Sequence, residues 1–188
     1  MTIGPDEFMA VAFPNLDLTK EMPAISHPIQ LKDGKWVFPA EAYSPGRIQL
    51  GMACFFNITT YKPAEDGERF RARLPLAVST RVIVLDDIGD HPKSKVSWAT
   101  FNERSLVQPS YVLATREDEG RTNCQIGFFL EATDPDRASA LIMAFAKAGL
   151  TDPGMRSANR WARLPGSTKH GGTYAARLLE WDPPRKAP

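Results

Sequence analysis

The stretch Val82–Gly89, reading VIVLDDIG, limits the possible folds of this chain more than any other. Its first half, Val82–Leu85, is apolar on both faces, so Leu76–Leu85 is expected to form a central strand covered on both sides. The run ends in two adjacent carboxylates, Asp86 and Asp87, followed closely by Gly89. Neighbouring carboxylates repel each other unless something positive lies between them, and a divalent cation is the usual solution. Successive side chains of a regular strand face opposite ways, so a shared ion requires the strand to end or bulge between the two acids. A glycine just beyond them suits that. The competing reading is a polar turn with Asp90, in which the acids cap neighbouring backbone groups.

The segment Arg163–Gly172, RLPGSTKHGG, supplies the opposite charge. Arg160, Arg163, Lys169 and His170 surround a Pro-Gly-Ser turn that includes Ser167, and acids facing such a turn suggest metal and polyphosphate chemistry. Guanidinium groups grip phosphate oxygens in a fork, and lysine adds a compact charge. A solvated basic turn is the plainer alternative. His170 has no His-x-Glu or His-x-His companion, so it is assigned to phosphate or solvent rather than to a metal. Asp152, at the head of DPGM, reads by itself as a helix-to-loop turn residue before Pro153.

With 188 residues, 43% of them hydrophobic, the chain can bury a core of its own, and its net charge of +1 gives no global attraction to nucleic acid. Any such binding must come from a local basic patch. Cys54 and Cys124 lack CxxC spacing and read as two reduced core thiols. No apolar stretch approaches the roughly 20 residues needed to cross a bilayer, and no signal peptide is evident. A soluble cytosolic protein is therefore expected, without a membrane partner.

Residues 1–50 are rich in proline and read as an extended arm packing on the core, anchored by Phe8, Met9, Val11, Phe13, Trp36, Val37 and Phe38. Gly51–Tyr61 reads as a strand. The charged stretch after it carries Arg69, Arg71 and Arg73 in alternation, either a solvated edge or a row facing nucleic acid. Lys93 and Lys95 lie in a loop over 89–108 that has room for a short helix, and are further candidates for nucleic-acid contact. Pro109–Thr115 and Cys124–Leu130 form an antiparallel pair joined by the polar loop REDEGRTN. Asp134–Gly149 has an Asp-Pro start, apolar residues at helical spacing and a glycine stop, and is the clearest helix. Tyr174–Trp181 is a last strand or a short helix, and residues 182–188 form a linker-like tail. Strands mixed with one clear helix indicate an α+β sandwich. A phosphate-binding GxxxxGK[ST] loop, a Ser-His-Asp order and zinc-ligand spacing are all absent.

In this order and spacing, VIVLDDIG, PSYVLATREDEGRTNCQIGFFL and DPGMRSANRWARLPGSTKHGG resemble the primase-polymerase branch of the archaeo-eukaryotic primase superfamily, in particular RepB-type and phage replication primases. The likeness spans about Leu76–Trp181. It implies an antiparallel core sheet like that of RNA-recognition motifs, within a catalytic domain over 51–181. It further implies template-directed nucleotidyl transfer, as DNA primase, DNA polymerase or both, in phage or plasmid replication. Asp86, Asp87 and Asp152 become the catalytic acids and the ligands of Mg²⁺ or Mn²⁺. Gln125 stands where many members have a histidine near the incoming nucleotide, and it joins Arg160, Arg163, Ser167, Lys169 and His170 as nucleotide-binding candidates. Implied partners are single-stranded DNA template and nucleoside triphosphates, with a replicative helicase in cis or trans. Gln125 cannot carry a charge, and the loop REDEGRTN is acidic and longer than the family's usual turn. Both features keep open a second reading, a catalytically weak accessory or initiator protein that binds nucleotides or nucleic acid.

Overall fold

The computed structural model describes residues 3–49, 51–105 and 107–183. Its ten strands are β1 (Met22–Ser26), β2 (Ile29–Gln30), β3 (Trp36–Val37), β4 (Glu41–Ala42), β5 (Phe55–Tyr61), β6 (Ala77–Gly89), β7 (Tyr111–Asp118), β8 (Arg121–Thr133), β9 (Trp161–Arg163) and β10 (Arg177–Trp181). Eight of them form one sheet in the order β10-β7-β8-β6-β5-β1-β4, with β9 added beside β5, while β2 and β3 make a separate hairpin. Every strand pairing is antiparallel. The helices are α1 (Pro5–Ala12), α2 (Trp98–Arg104) and α3 (Pro135–Lys147), which makes the fold α+β. Val82–Leu85 lies in the middle of the large sheet, as its two-sided apolarity requires.

The register shows how both faces are covered. Val82 pairs with Phe129 and Ile83 with Phe128, so the two phenylalanines of β8 point to opposite faces. Phe8 of α1 packs edge-on against Phe129, Tyr111 and Phe56, while Phe145 of α3 stacks on Phe128. The sheet is therefore held between α1 and α3. The Arg104 guanidinium at the end of α2 donates to the Ala148 carbonyl at 3.0 Å, which ties α2 to the α3 side. α3 starts where its sequence says it should: the Asp134 carboxylate accepts from the N–H groups of Asp136 and Arg137, Pro135 opens the first turn, and Gly149 takes the left-handed conformation at its end.

Residues 3–49 are more than an arm laid on the core. Phe8 and Met9 of α1 are buried, and β1 is an inner strand between β5 and β4. Pro23 hid that strand from the sequence, because proline interrupts a ladder; here the β1–β5 register shifts between Pro23 and Ile25 and the ring sits at the irregularity. Glu21 locks the segment in place. Its carboxylate accepts from Thr60, Ser79 and Arg81 at 2.6, 2.6 and 2.7 Å. Of the expected anchors, Val37 stays exposed. REDEGRTN is likewise no free loop, since β7 and β8 run through it and turn only at Glu119 and Gly120, both at positive φ. Cys54 and Cys124 are buried free thiols, and burial raises them to about 12 and about 11. Of the linker-like tail, residues 184–188 lie outside the described residues.

Gly127 fits only because it has no side chain. A Cβ there would fall 1.8 Å from the ring of Tyr111, which is fully buried and cannot withdraw. Gly127→Ala is expected to destabilise the protein by about 2–3 kcal/mol through overpacking, read as a lower denaturation midpoint. A midpoint equal to that of the parent would show that Tyr111 can move.

Candidate active-site cleft

The acid pair owes its geometry to a break in β6. Its pairing with β8 slips between Leu85 and Ile88, and Asp87 sits at φ 61° in the left-handed region, so the strand bulges between the two acids. The bulge is pinned from behind, where the N–H groups of Lys95 and Val96 both donate to the Asp87 carbonyl at 2.8 and 3.1 Å. Asp87 Oδ1 accepts from Asn123 Nδ2 at 3.0 Å, and Asp86 Oδ1 accepts from the Asp87 N–H at 3.0 Å. Burial, the Asp87 charge and the Asp152 charge together hold the Asp86 carboxyl above the usual carboxylate range, with Arg160 acting against them.

The basic wall comes from a split in the sheet. β6 pairs with β5 only at Thr59–Tyr61, whereas the first half of β5 is taken by β9, with Phe55 opposite Arg163. The Arg163 N–H donates to Gln125 Oε1 at 3.0 Å, and Gln125 Nε2 donates to the Arg163 carbonyl at 3.2 Å. One amide side chain thus pairs with Arg163 as a neighbouring strand would. Asn57 secures the other end, donating to Asn159 Oδ1 at 2.8 Å and accepting from the Tyr61 hydroxyl at 2.9 Å. The Arg163 guanidinium is held by the carbonyls of Ser167 and Tyr174 at 3.1 and 3.2 Å, while its Nε is buried with no partner. Burial lowers its pKa to about 10, with Asp86 working in the opposite direction, so the group remains charged at neutral pH.

The two walls enclose an open cleft of about 280 Å³. Asp86 and Asp87 line it together with Lys93, Arg116, Arg163, Lys169 and His170, and with Phe55, Thr115 and Asn123. Lys169 is exposed. The His170 ring leans on Trp36 of β3 at 4.8 Å, its Nδ1 has no partner, and burial with the nearby Lys169 and Arg163 charges lowers its pKa.

Several candidates from the sequence sit elsewhere. Gln125 does not face the cleft: it is buried, with both amide atoms engaged by the Arg163 backbone, which corrects its assignment to phosphate. The Ser167 hydroxyl is also buried and closes its own turn, donating to the Leu164 carbonyl at 2.7 Å. Asp152 lies beside the pair, its N–H donating to the Asp86 carbonyl at 3.2 Å, yet it is outside the cleft lining. Arg160 is near enough to lower both Asp86 and Asp152 but does not line the cleft. Lys95, a candidate for nucleic-acid contact, pairs with acids instead: its Nζ lies 2.8 Å from Asp152 Oδ1 and 3.5 Å from Asp87 Oδ2. Arg69, Arg71 and Arg73 are exposed on the β5–β6 connection, away from the cleft lining. Arg116 and Asn123 went unrecognised in the sequence. They are cross-strand partners, and reading REDEGRTN as a hairpin would have set them opposite each other.

Carboxylate oxygens suit Mg²⁺ or Mn²⁺, and an Asp86 carboxyl whose ionised form is disfavoured by burial and by the neighbouring Asp87 charge is a setting that a divalent cation relieves. Asp86 and Asp87 fit such an ion, which commonly takes one or two carboxylates and completes its shell with water and phosphate. Among the described residues, however, no group of three or more acidic, histidine or cysteine side chains is arranged to hold a metal. Lys95 stands between Asp87 and Asp152.

No family model matches the sequence, and no curated protein matches it. Solved structures do. The chain is similar to the AEP domain of the cyanophage S-2L primase-polymerase, with a TM-score of 0.63 at 14% identity over 94% of this chain and 91% of that one. It is also similar to the catalytic domain of the primase RepB′ solved with initiator DNA, with a TM-score of 0.55 at 13% identity over 95% and 87% of the two chains. The chain has the fold of these primase domains over nearly all its length. Among the described residues, no helix is long and apolar enough to cross a membrane.

Proposed function

We propose that this protein is a metal-dependent nucleotidyltransferase that primes or extends DNA in phage or plasmid replication. The observation that carries this reading is the cleft itself, where Asp86 and Asp87 face Lys93, Arg116, Arg163 and Lys169. Phosphoryl transfer needs positioning and charge rather than a protein nucleophile, and a site of acids opposite cations supplies both. Arg163 and Lys169 receive the triphosphate, with Arg163 fixed in orientation by Ser167, Tyr174 and Gln125. Arg116 and Lys93 neutralise charge from the β7–β8 side. Asp86 and Asp87 hold Mg²⁺ or Mn²⁺, which when bound lowers the pKa of the attacking hydroxyl and offsets charge on the leaving group.

Two observations favour the second reading, a nucleotide-binding replication accessory: the Lys95 ammonium lies among the acids, and Gln125 offers nothing to a ligand. A primer-extension and de novo priming assay with labelled nucleotides, in Mg²⁺ and in Mn²⁺, separates the two. Incorporation supports the enzyme. Tight triphosphate binding without incorporation supports the accessory, and loss of both sinks the reading of the cleft. Lys169→Ala is expected to weaken triphosphate binding about tenfold, as removal of one charge-assisted contact does, and to leave single-stranded DNA affinity nearly unchanged. Equal losses for the two ligands would indicate a general basic groove.

A further inference from the structure

We infer that Lys95 is a built-in counter-cation that competes with divalent metal for Asp87 and Asp152 and so sets the metal concentration at which the acid cluster fills. The inference rests on the cleft being a cation site, not on any particular reaction there. Lys95 is placed by the backbone rather than by chance. Its N–H donates to the Asp87 carbonyl at 2.8 Å, Val96 beside it bridges to Ile88, and the side chain returns over the bulge to both carboxylates. One nitrogen therefore bridges two carboxylates, those of Asp87 and Asp152.

The two acids differ in how they are held. Lys95 draws the Asp152 carboxyl below its usual range despite partial burial, helped by the Gly154 N–H and by Arg160. The third acid, Asp86, has no ion pair among the described residues, and burial with the Asp87 charge holds its carboxyl above the usual range. A first divalent ion at Asp86 and Asp87 feels the ammonium at one carboxylate alone, where Lys95 Nζ lies 3.5 Å from Asp87 Oδ2. An ion placed between Asp87 and Asp152 must displace an ammonium. The side chain of Lys95 is 50% exposed, so water can receive its charge when it swings out. A half-exposed pair of this kind is weak enough to give way to a doubly charged competitor, so the lysine delays the second ion rather than barring it.

The test is Mn²⁺ binding to the full chain without nucleotide, followed by the paramagnetic resonance of free Mn²⁺, for the parent protein, Lys95→Met and Lys95→Arg. Removing one positive charge about 5 Å from a divalent ion in a water-like dielectric should tighten binding roughly tenfold in Lys95→Met, and the gain should shrink at high salt. Lys95→Arg should stay near the parent. Melting temperatures give an independent readout: Lys95→Met should melt below the parent without metal, where the acids lose their counter-charge, and should recover more than the parent does when Mn²⁺ is added. Unchanged or weaker Mn²⁺ binding in a folded Lys95→Met overturns the inference, as does an absence of Mn²⁺ binding in both proteins. Nucleotide incorporation enters none of these measurements, so an inactive protein with tighter Mn²⁺ binding in Lys95→Met would retain the counter-cation and refute only the enzyme.

Discussion

On the proposed function, Asp86→Asn is expected to lower nucleotide incorporation by roughly a thousandfold or more, the scale of losing several kcal/mol of transition-state stabilisation, and to raise the melting temperature of the metal-free protein. The two effects have one cause. The Asp86 carboxyl is held above its usual range by burial and by the charges of Asp87 and Asp152, so its ionised form is a liability to the fold until a cation arrives. Asparagine retains an oxygen to accept the Asp87 N–H and brings no charge. The pH dependence has a definite sign. With the folded-state pKa raised, the folded protein binds more protons than the unfolded chain between the two pKa values, so stability falls as pH rises through that window. The difference in melting temperature between Asp86→Asn and the parent should therefore be small in acid and grow towards neutrality. Melting curves at several pH values, with metal chelated, measure it. A variant that melts lower at neutral pH, or that still incorporates nucleotide at the parent rate, would remove Asp86 from the role of metal ligand.

The acid pair was legible in the sequence because its signal is local. A two-sided apolar run, adjacent carboxylates and a glycine fall within eight residues, and the bulge needed to bring the acids together follows from side-chain alternation alone. α3 was legible for the same reason, with cap, period and stop all in one window. What the sequence concealed depends on pairing between distant segments. β1 is five residues long with a proline at its second position, and only its partner β5 makes it a strand. Lys95 reads in the sequence as a candidate for nucleic-acid contact, since nothing along the chain brings residue 95 to residue 152. Gln125 was the most instructive miss. Its place in the motif suggested a ligand, but β9 is a three-residue strand flanked by a split in the sheet, and a strand that short needs a neighbour on its open edge.

Gln125→Ala is therefore expected to lower stability and, on the proposed function, nucleotide affinity together. The substitution strips the partner from the Arg163 N–H and from its carbonyl, both buried, and puts a cavity where the enclosed amide was. Unsatisfied buried polar groups cost about 1–3 kcal/mol each, so a loss of about 3 kcal/mol is expected, on the order of 10 °C in melting temperature for a chain of this size. Affinity for triphosphate falls because the Arg163 guanidinium is only as well aimed as the backbone beneath it. Gln125→His fares no better: a single imidazole cannot set a donor and an acceptor side by side as an amide does, so the residue common in the likened family is a poor replacement here. Gln125→Glu divides the effect, since its carboxylate can accept from the Arg163 N–H but meets the Arg163 carbonyl with like charge. Thermal melts and triphosphate titrations on all three variants decide between the two roles. Falling stability in each, ordered with alanine and histidine at least as damaged as any surface substitution, identifies a residue that positions Arg163; weaker binding at an unchanged melting temperature would return Gln125 to direct contact with phosphate.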